Sequence, residues 1–240
     1  MDLVSQSLEV ICMNEEKNFK IAPSGVDYAL KCKRCLWLAY KGIKLDTFFP
    51  PIFNAFDLIQ KKFLINKSIK TMSSNLPDGR IMKELNGFIG STILKDNKGR
   101  PFIIRGKTDV VVEFNTNPKK YGIIDLKTTN LNPSKIENYK LQLESYATIF
   151  LNPNAKTPKF SNIEELGLYL FEPKEITNIS NNACNMKFET LYLKGQRYEE
   201  DLKNRITDII DVYEMKQPPG YNLACGTCKF VMSLIEEKYV

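Results

Sequence analysis

A chain of 240 residues, 43% of them hydrophobic, is long enough to bury one sizeable core, so one domain with appended elements is expected over residues 1–240 rather than two independent folds. The formal charge of +6 favours a polyanionic partner only weakly, because many proteins with no nucleic-acid role are equally basic. The absence of histidine excludes Ser-His and Cys-His catalysis, the zinc-protease motif and every histidine-ligated metal site. Any chemistry falls to carboxylates, lysines, tyrosines or cysteines.

The first twenty residues lack a basic segment followed by an apolar run, and no stretch approaches the roughly 20 apolar residues that span a bilayer. No membrane partner and a cytoplasmic location are therefore expected. The stretch "APSGVDYALKCKRCLWLAYKG" reads as a helix over 24–41, with Ser24 as N-cap, Asp27 as its capping-box partner and Gly42 as the stop. After the proline break in "FFPPIF", "NAFDLIQKKFLIN" has helical spacing, with Phe56, Ile59, Phe63 and Leu64 on its apolar side and Asp57 near its start.

The period then changes. "FIIRGKTDVVVEF" and "YGIIDLKTT" are rich in branched residues and are joined by "NTNPKK", which predicts a hairpin. "NPSKIENYKLQLESYATIFLNP" predicts a helix packed on the sheet through Leu141, Tyr146 and Ile149. "EELGLYLFEP" and "MKFETLYLKG" predict two more strands. Leu202, Ile206, Ile209, Ile210 and Tyr213 form the apolar face of a long amphipathic helix, which ends before Pro218 and Pro219; the tail over 218–240 carries "CGTC".

The hairpin limbs hold charges in apolar surroundings. Asp125 and Lys127 project to one face of their strand, with Leu126 on the other. Asp109 interrupts the partner strand, and it shares that face only if residue 109 lies opposite 125 or 127. Unpaired buried charges cost several kcal/mol, and close carboxylates repel one another, which a divalent cation relieves. Magnesium suits such an all-oxygen site, with the Leu126 carbonyl as a further ligand. It would lower the pKa of a bound water and stabilise charge on a phosphate, while Lys127 orients the water or supports the developing charge. The competing reading is a structural Asp-Lys pair on a half-exposed sheet face. Glu113 shares the parity of Asp109 but reads as an ordinary polar strand-end residue.

Cysteines form a second constellation. Cys32 with Cys35 and Cys225 with Cys228 make two Cys-x-x-Cys pairs, a common four-thiolate metal arrangement; small buried packing residues are the alternative. Cys12 and Cys184 read as ordinary buried thiols. Basic residues in "KCKR", "NKSIK", "DNKGR" and "KKYG" suit sequence-tolerant phosphate contacts. Trp37, Tyr139 and Tyr146 have the chemistry to stack on single-stranded bases, although such residues are more often core.

Asp109 in "GKTDVVVEF", Asp125-Leu126-Lys127 in "IIDLKTT", and Gln142 with Tyr146 in "QLESY" together resemble the PD-(D/E)XK nuclease superfamily, in its RecB-type branch. The resemblance covers roughly residues 22–148 plus the cysteine tail. It implies an α/β, restriction-endonuclease-like fold with a mixed central sheet flanked by helices, and metal-dependent cleavage of DNA, exonucleolytic and acting in repair, recombination or defence. Carried over residue by residue, Asp109 and Asp125 would ligate Mg2+ or Mn2+, Lys127 would be the catalytic lysine, and Gln142 and Tyr146 would act at the active site or on DNA. Relatives often place a histidine or glutamate on an earlier helix; Asp57 is the candidate for that place here, although a helix-start aspartate favouring the helix dipole explains it as well. Relatives also staple their ends with a four-cysteine [4Fe-4S] cluster, usually with one cysteine early and three late. The two-and-two split of Cys32, Cys35, Cys225 and Cys228 keeps structural Zn2+ as a competitor; either ion would join the helix at 24–41 to the tail at 218–240. The partners implied are single-stranded DNA or duplex ends and, as in some relatives, a helicase or repair subunit. The alternative is an inactive module of this fold that binds DNA or a partner protein.

Overall fold

Two mixed sheets organise the structure, a computed structural model that describes residues 18–43, 50–82, 85 and 87–236. The expectations placed on the first seventeen residues, Cys12 included, lie outside them. In chain order the elements are β1 (Phe19–Ile21), α1 (Pro23–Val26), α2 (Lys33–Tyr40), α3 (Pro51–Leu64), β2 (Gly79–Ile81), β3 (Ile89–Gly90), β4 (Leu94–Lys95), β5 (Pro101–Gly106), β6 (Val110–Phe114), β7 (Tyr121–Thr128), α4 (Lys140–Leu151), β8 (Ile163–Ser180), β9 (Ala183–Lys194), α5 (Glu199–Glu214) and α6 (Gly226–Glu236). The larger sheet has the order β2-β6-β7-β8-β9, parallel only between β7 and β8. The smaller is built on β5, with β1 parallel and β3 and β4 antiparallel to it.

The expected β6–β7 hairpin forms. Val110 pairs with Ile124, and one further step along that register sets Asp109, just ahead of β6, opposite Asp125. The run "FIIRGKTDVVVEF" is, however, two strands in different sheets. Two distant contacts account for the corner at 107–109. A Cβ on Gly106 would meet Pro23 Cδ at 2.8 Å, and the Tyr146 hydroxyl takes the Lys107 carbonyl, so this backbone group is satisfied by α4 rather than by a neighbouring strand.

Period-two alternation loads both faces of the larger sheet. Val111 and Ile123 pack with Leu143, Phe150, Leu168 and Ile206 on the α4–α5 side. Val112, Ile124 and Leu126 pack with Leu64, Ile69 and Tyr169 on the other. α4 crosses between the parallel strands β7 and β8, which explains why nine of its side chains are buried. Among them is Glu144, 0% exposed and held by Arg197 and the Tyr198 N–H. The amphipathic face of α5 forms as expected: Leu202, Ile206, Ile209 and Ile210 are buried, and Tyr213 stacks on Tyr40 at 4.0 Å.

Several expectations are corrected. The helix over 24–41 is broken into α1, a turn at Ala29–Lys31 and α2. Ser24 is not a cap, since α1 starts after Ala22 with Pro23 in its first turn. The Asp27 carboxylate leaves its own helix and accepts the N–H groups of Leu141 (3.1 Å) and Gln142 (2.8 Å) at the start of α4. Gly42 does end α2, at φ +87, with the Ile43 N–H returning to the Leu38 carbonyl. The helix expected from Pro133 is a 3-10 turn at Pro133–Asn138 followed by α4.

On α3 the inward stripe is Asp57, Gln60, Lys61 and Leu64. Ile59 is 64% and Phe63 59% exposed, so only Leu64 of the expected apolar side is buried. β8 and β9 run past the predicted strands as a projecting arm, where Cys184 is exposed rather than buried. No described helix is long and apolar enough to cross a membrane.

The Asp27 cap yields a stability prediction. Replacing Asp27 by Ala removes both acceptors from the start of α4 and is expected to cost about 1–2 kcal/mol, read as a lowered denaturant midpoint at unchanged slope. Asp27→Asn keeps one acceptor oxygen and should fall between the variant and the parent protein.

Candidate functional site

The site lies where β6 begins, so that Asp109 borders a gap beside β7 rather than a paired strand. Asp109 Oδ2 accepts the Leu126 N–H at 2.9 Å, where a strand residue would otherwise bond. In an antiparallel pair one residue's N–H and C=O face the same neighbour, so the Leu126 carbonyl is directed to the same gap. Asp125 is 2% exposed. Its Oδ1 accepts Gln142 Nε2 at 2.8 Å, and its Oδ2 lies 2.5 Å from Lys127 Nζ without an aligned hydrogen bond.

Two more charged groups join from α3. Lys61 Nζ lies 2.8 Å from Asp57 Oδ2 and 2.8 Å from Asp109 Oδ1. Three carboxylates and two ammoniums are thus linked by successive contacts, from Asp57 through Lys61 to Asp109 and from Asp109 to the Asp125–Lys127 pair. Solvent reaches it by way of Asp57, Lys127 and Asp109, whose side chains are 43%, 24% and 15% exposed, and not by way of Asp125.

The electrostatics follow from this crowding. Burial, and next the Asp109 charge, push Asp125 up to about 7, against the pull of Lys127. Burial opposes the charge on Lys127, but Asp125 outweighs it and holds the ammonium above its usual range. Lys61 is held up in the same way by Asp109 and Asp57. Close carboxylates are the donor set that a hard divalent cation relieves, so Asp109 and Asp125, which lies within reach of the Asp109 charge, fit such an ion.

Of the residues expected at the site, Asp109, Asp125, Leu126, Lys127 and Gln142 come together directly. Tyr146 lies on the same face of α4 as Gln142, but it is 3% exposed with its hydroxyl on the Lys107 carbonyl; it braces the corner and offers no surface to a base. Tyr139 is half-buried, with Lys127 Nζ 4.8 Å from its ring centre. Trp37 is engaged elsewhere, donating to the Met215 carbonyl at 2.8 Å. Asp57 lies in the second turn of α3, not at its start, and reaches the cluster through Lys61. Glu113 pairs with Arg80 and Lys119, as a strand-end residue would. Sequence reasoning missed Lys61; its signal was the Asp57-Lys61 pair at helical spacing, indistinguishable in one sequence from a solvated surface pair.

Most expected phosphate contacts are already occupied. Arg100 is paired with Asp96, Asp211 and Glu214, Lys98 with Asp211, Lys70 with Asp78 and Lys120 with Glu164. Arg105 and Lys107, four and two residues ahead of Asp109, lie over the Phe88 ring at 4.7 and 5.1 Å and have no acidic partner within 4.0 Å among the described residues.

The four expected cysteines also converge. Cys32 Sγ lies 3.5 Å from Cys228 Sγ and Cys35 Sγ 3.6 Å from Cys225 Sγ; all four sulfurs lie within 4.8 Å of one another. Four thiolates on one tetrahedral ion at about 2.3 Å stand roughly 3.8 Å apart. On a four-iron cube each binds a different corner, which spreads them to about 6 Å. The four thiols are thus placed where they could hold a metal ion. Burial pushes the Cys32 and Cys35 thiols up, while the Cys228 N–H at the start of α6 pulls Cys225 down to about 7.

Comparison with known proteins agrees with the fold. A family model described as the PD-(D/E)XK nuclease superfamily matches residues 61–233, well over half of the chain and inclusive of Lys61, Asp109, Asp125, Lys127, Gln142 and Tyr146. No curated protein matches. A solved structure titled "Crystal structure of SSO0001" aligns with a TM-score of 0.49 at 15% identity, over 90% of this chain and 85% of that chain.

Proposed function

Because the chain belongs to the PD-(D/E)XK nuclease superfamily, we propose that it is an active deoxyribonuclease dependent on Mg2+ or Mn2+, with Asp109, Asp125 and the Leu126 carbonyl holding the ion and Asp57 adjoining it. The observation that carries this reading is the Asp109 carboxylate opposite the Lys127-paired Asp125 at the mouth of the β6–β7 hairpin. When bound, such an ion lowers the pKa of a water and stabilises charge on the phosphate under attack.

The protein's own groups have separable tasks. Lys127 directs its ammonium at the developing charge, and Gln142 fixes the Asp125 carboxylate by holding Oδ1. Asp27 sets the position of Gln142 by capping α4, and Tyr146 keeps Asp109 at the corner. Arg105 and Lys107 provide free cations for DNA phosphates, which supports salt-sensitive, sequence-tolerant binding. The Gln142–Tyr146 face and the cysteine staple support a place in the RecB-type branch, and the resemblance to its exonucleases supports action from DNA ends, alongside a helicase or repair subunit, in repair, recombination or defence.

We read residues 1–240 as one nuclease domain whose early and late segments are joined by the four cysteines. The short sulfur spacing supports Zn2+ rather than [4Fe-4S] as the resident ion. Its role is structural: four thiolates close a loop of nearly the whole chain and fix α2 against α6.

Two measurements test this reading. Labelled single- and double-stranded DNA should be cut with Mg2+ or Mn2+ and not after chelation, and Asp109→Ala, Asp125→Ala and Lys127→Ala should each lose at least about 100-fold in rate; cutting that survives Asp125→Ala contradicts the assignment. Elemental analysis of anaerobically purified protein should find close to one zinc per chain and no visible absorbance. Iron at about four per chain with a brown colour would overturn the zinc assignment.

A further inference from the structure

Lys61 is a charged group that the nuclease reading does not use. Its ammonium is held between two carboxylates, at 2.8 Å from each, and its side chain is only 13% exposed, so it is built into the cluster rather than resting on the surface. Asp109 has one oxygen already committed to the Leu126 N–H. The other, Oδ1, is the one on which Lys61 lies, and it is therefore the atom for which an entering cation must compete.

We propose that Lys61 is a built-in counter-ion of the metal site, occupying the cation position between Asp57 and Asp109 until a divalent ion displaces it toward the bound DNA phosphate. The inference rests on the nuclease reading and deepens it.

The charges require such a device. Lys127 is committed to Asp125, so without Lys61 the carboxylates of Asp57 and Asp109 would have no cation between them. Once a divalent ion reaches Asp109, an ammonium beside it repels the ion, and the flexible lysine stem is the part able to move. Neighbouring groups agree with a vacating position. Thr108 Oγ1, which lines the same cavity as Lys61 and Asp109, is buried with no hydrogen-bond partner. The exposed mouth at Asp57 gives Lys61 somewhere to go.

The test is Mn2+ binding measured by calorimetry and by the loss of the free-ion EPR signal, without DNA. Lys61→Met keeps the stem and removes the charge, and it should bind Mn2+ about tenfold more tightly than the parent protein. Lys61→Gln serves as a second neutral variant should the first fold poorly, and Lys61→Arg, which keeps the charge, should stay at or below the parent affinity. Lys62→Met removes an exposed neighbouring charge and should change little. Equal or weaker Mn2+ binding in both neutral variants overturns the counter-ion role, and so does equal tightening in Lys62→Met. If binding is present and abolished by Asp109→Ala, the nuclease reading stands even when the counter-ion role falls. If neither the parent protein nor the neutral variants bind Mn2+, both fall together.

Discussion

Two acids facing each other across the first rung of a hairpin set the terms for everything around them. Asp109 lies close enough to Asp125 to disfavour its charge, and Asp125 is almost sealed from water. Such a pair is stable only with compensation from several directions. β7 itself supplies Lys127 and the Leu126 N–H, α4 supplies Gln142, and α3 supplies Lys61. The helices on both faces of the sheet are thus tied to one strand end, and the fold holds the site as firmly as the site constrains the fold.

That arrangement explains features with no obvious local cause. Asp27 abandons its own helix because the start of α4 has unsatisfied N–H groups, and it thereby fixes the helix that presents Gln142. Tyr146 closes on the Lys107 carbonyl so that the chain can leave the smaller sheet and enter the larger one immediately before Asp109. The four cysteines do comparable work at longer range. They bring α2 beside α6, and Trp37 and Arg34 add bonds to the carbonyls of Met215 and Pro219 nearby. With its early helices anchored in this way, the chain places α1 against α4, on the same side as the brace.

What the sequence made legible was what local period and spacing encode. The alternation along "VVVEF" and "YGIIDL", with a turn-rich loop between them, defined the hairpin, while the register that sets Asp109 opposite Asp125 came from the structure. Spacing of four placed Gln142 and Tyr146 on one face of α4, and Cys-x-x-Cys twice over identified the four thiols that converge. What it hid depends on contacts between distant segments. Nothing near Gly106 announces a corner, because Pro23 and Tyr146 impose it. Strands of two or three residues, as in β1 to β4, are too short to show a period. The face of α3 that turns inward is its polar one, chosen by Asp109 rather than by hydrophobicity, so Ile59 and Phe63 misled. The distances between the four sulfurs are a property of coordinates alone.

The central claim is that the opposed carboxylates form a divalent-cation site. Its most direct test is a crystal of the protein soaked in Mn2+, with the anomalous difference map examined at the hairpin mouth. The account predicts one strong peak at about 2.1–2.3 Å from a carboxylate oxygen of Asp109 and of Asp125, with Lys61 displaced from Asp109. A map in which both carboxylates are ordered, Lys61 still bridges Asp57 and Asp109, and no manganese lies within reach of either acid would contradict it.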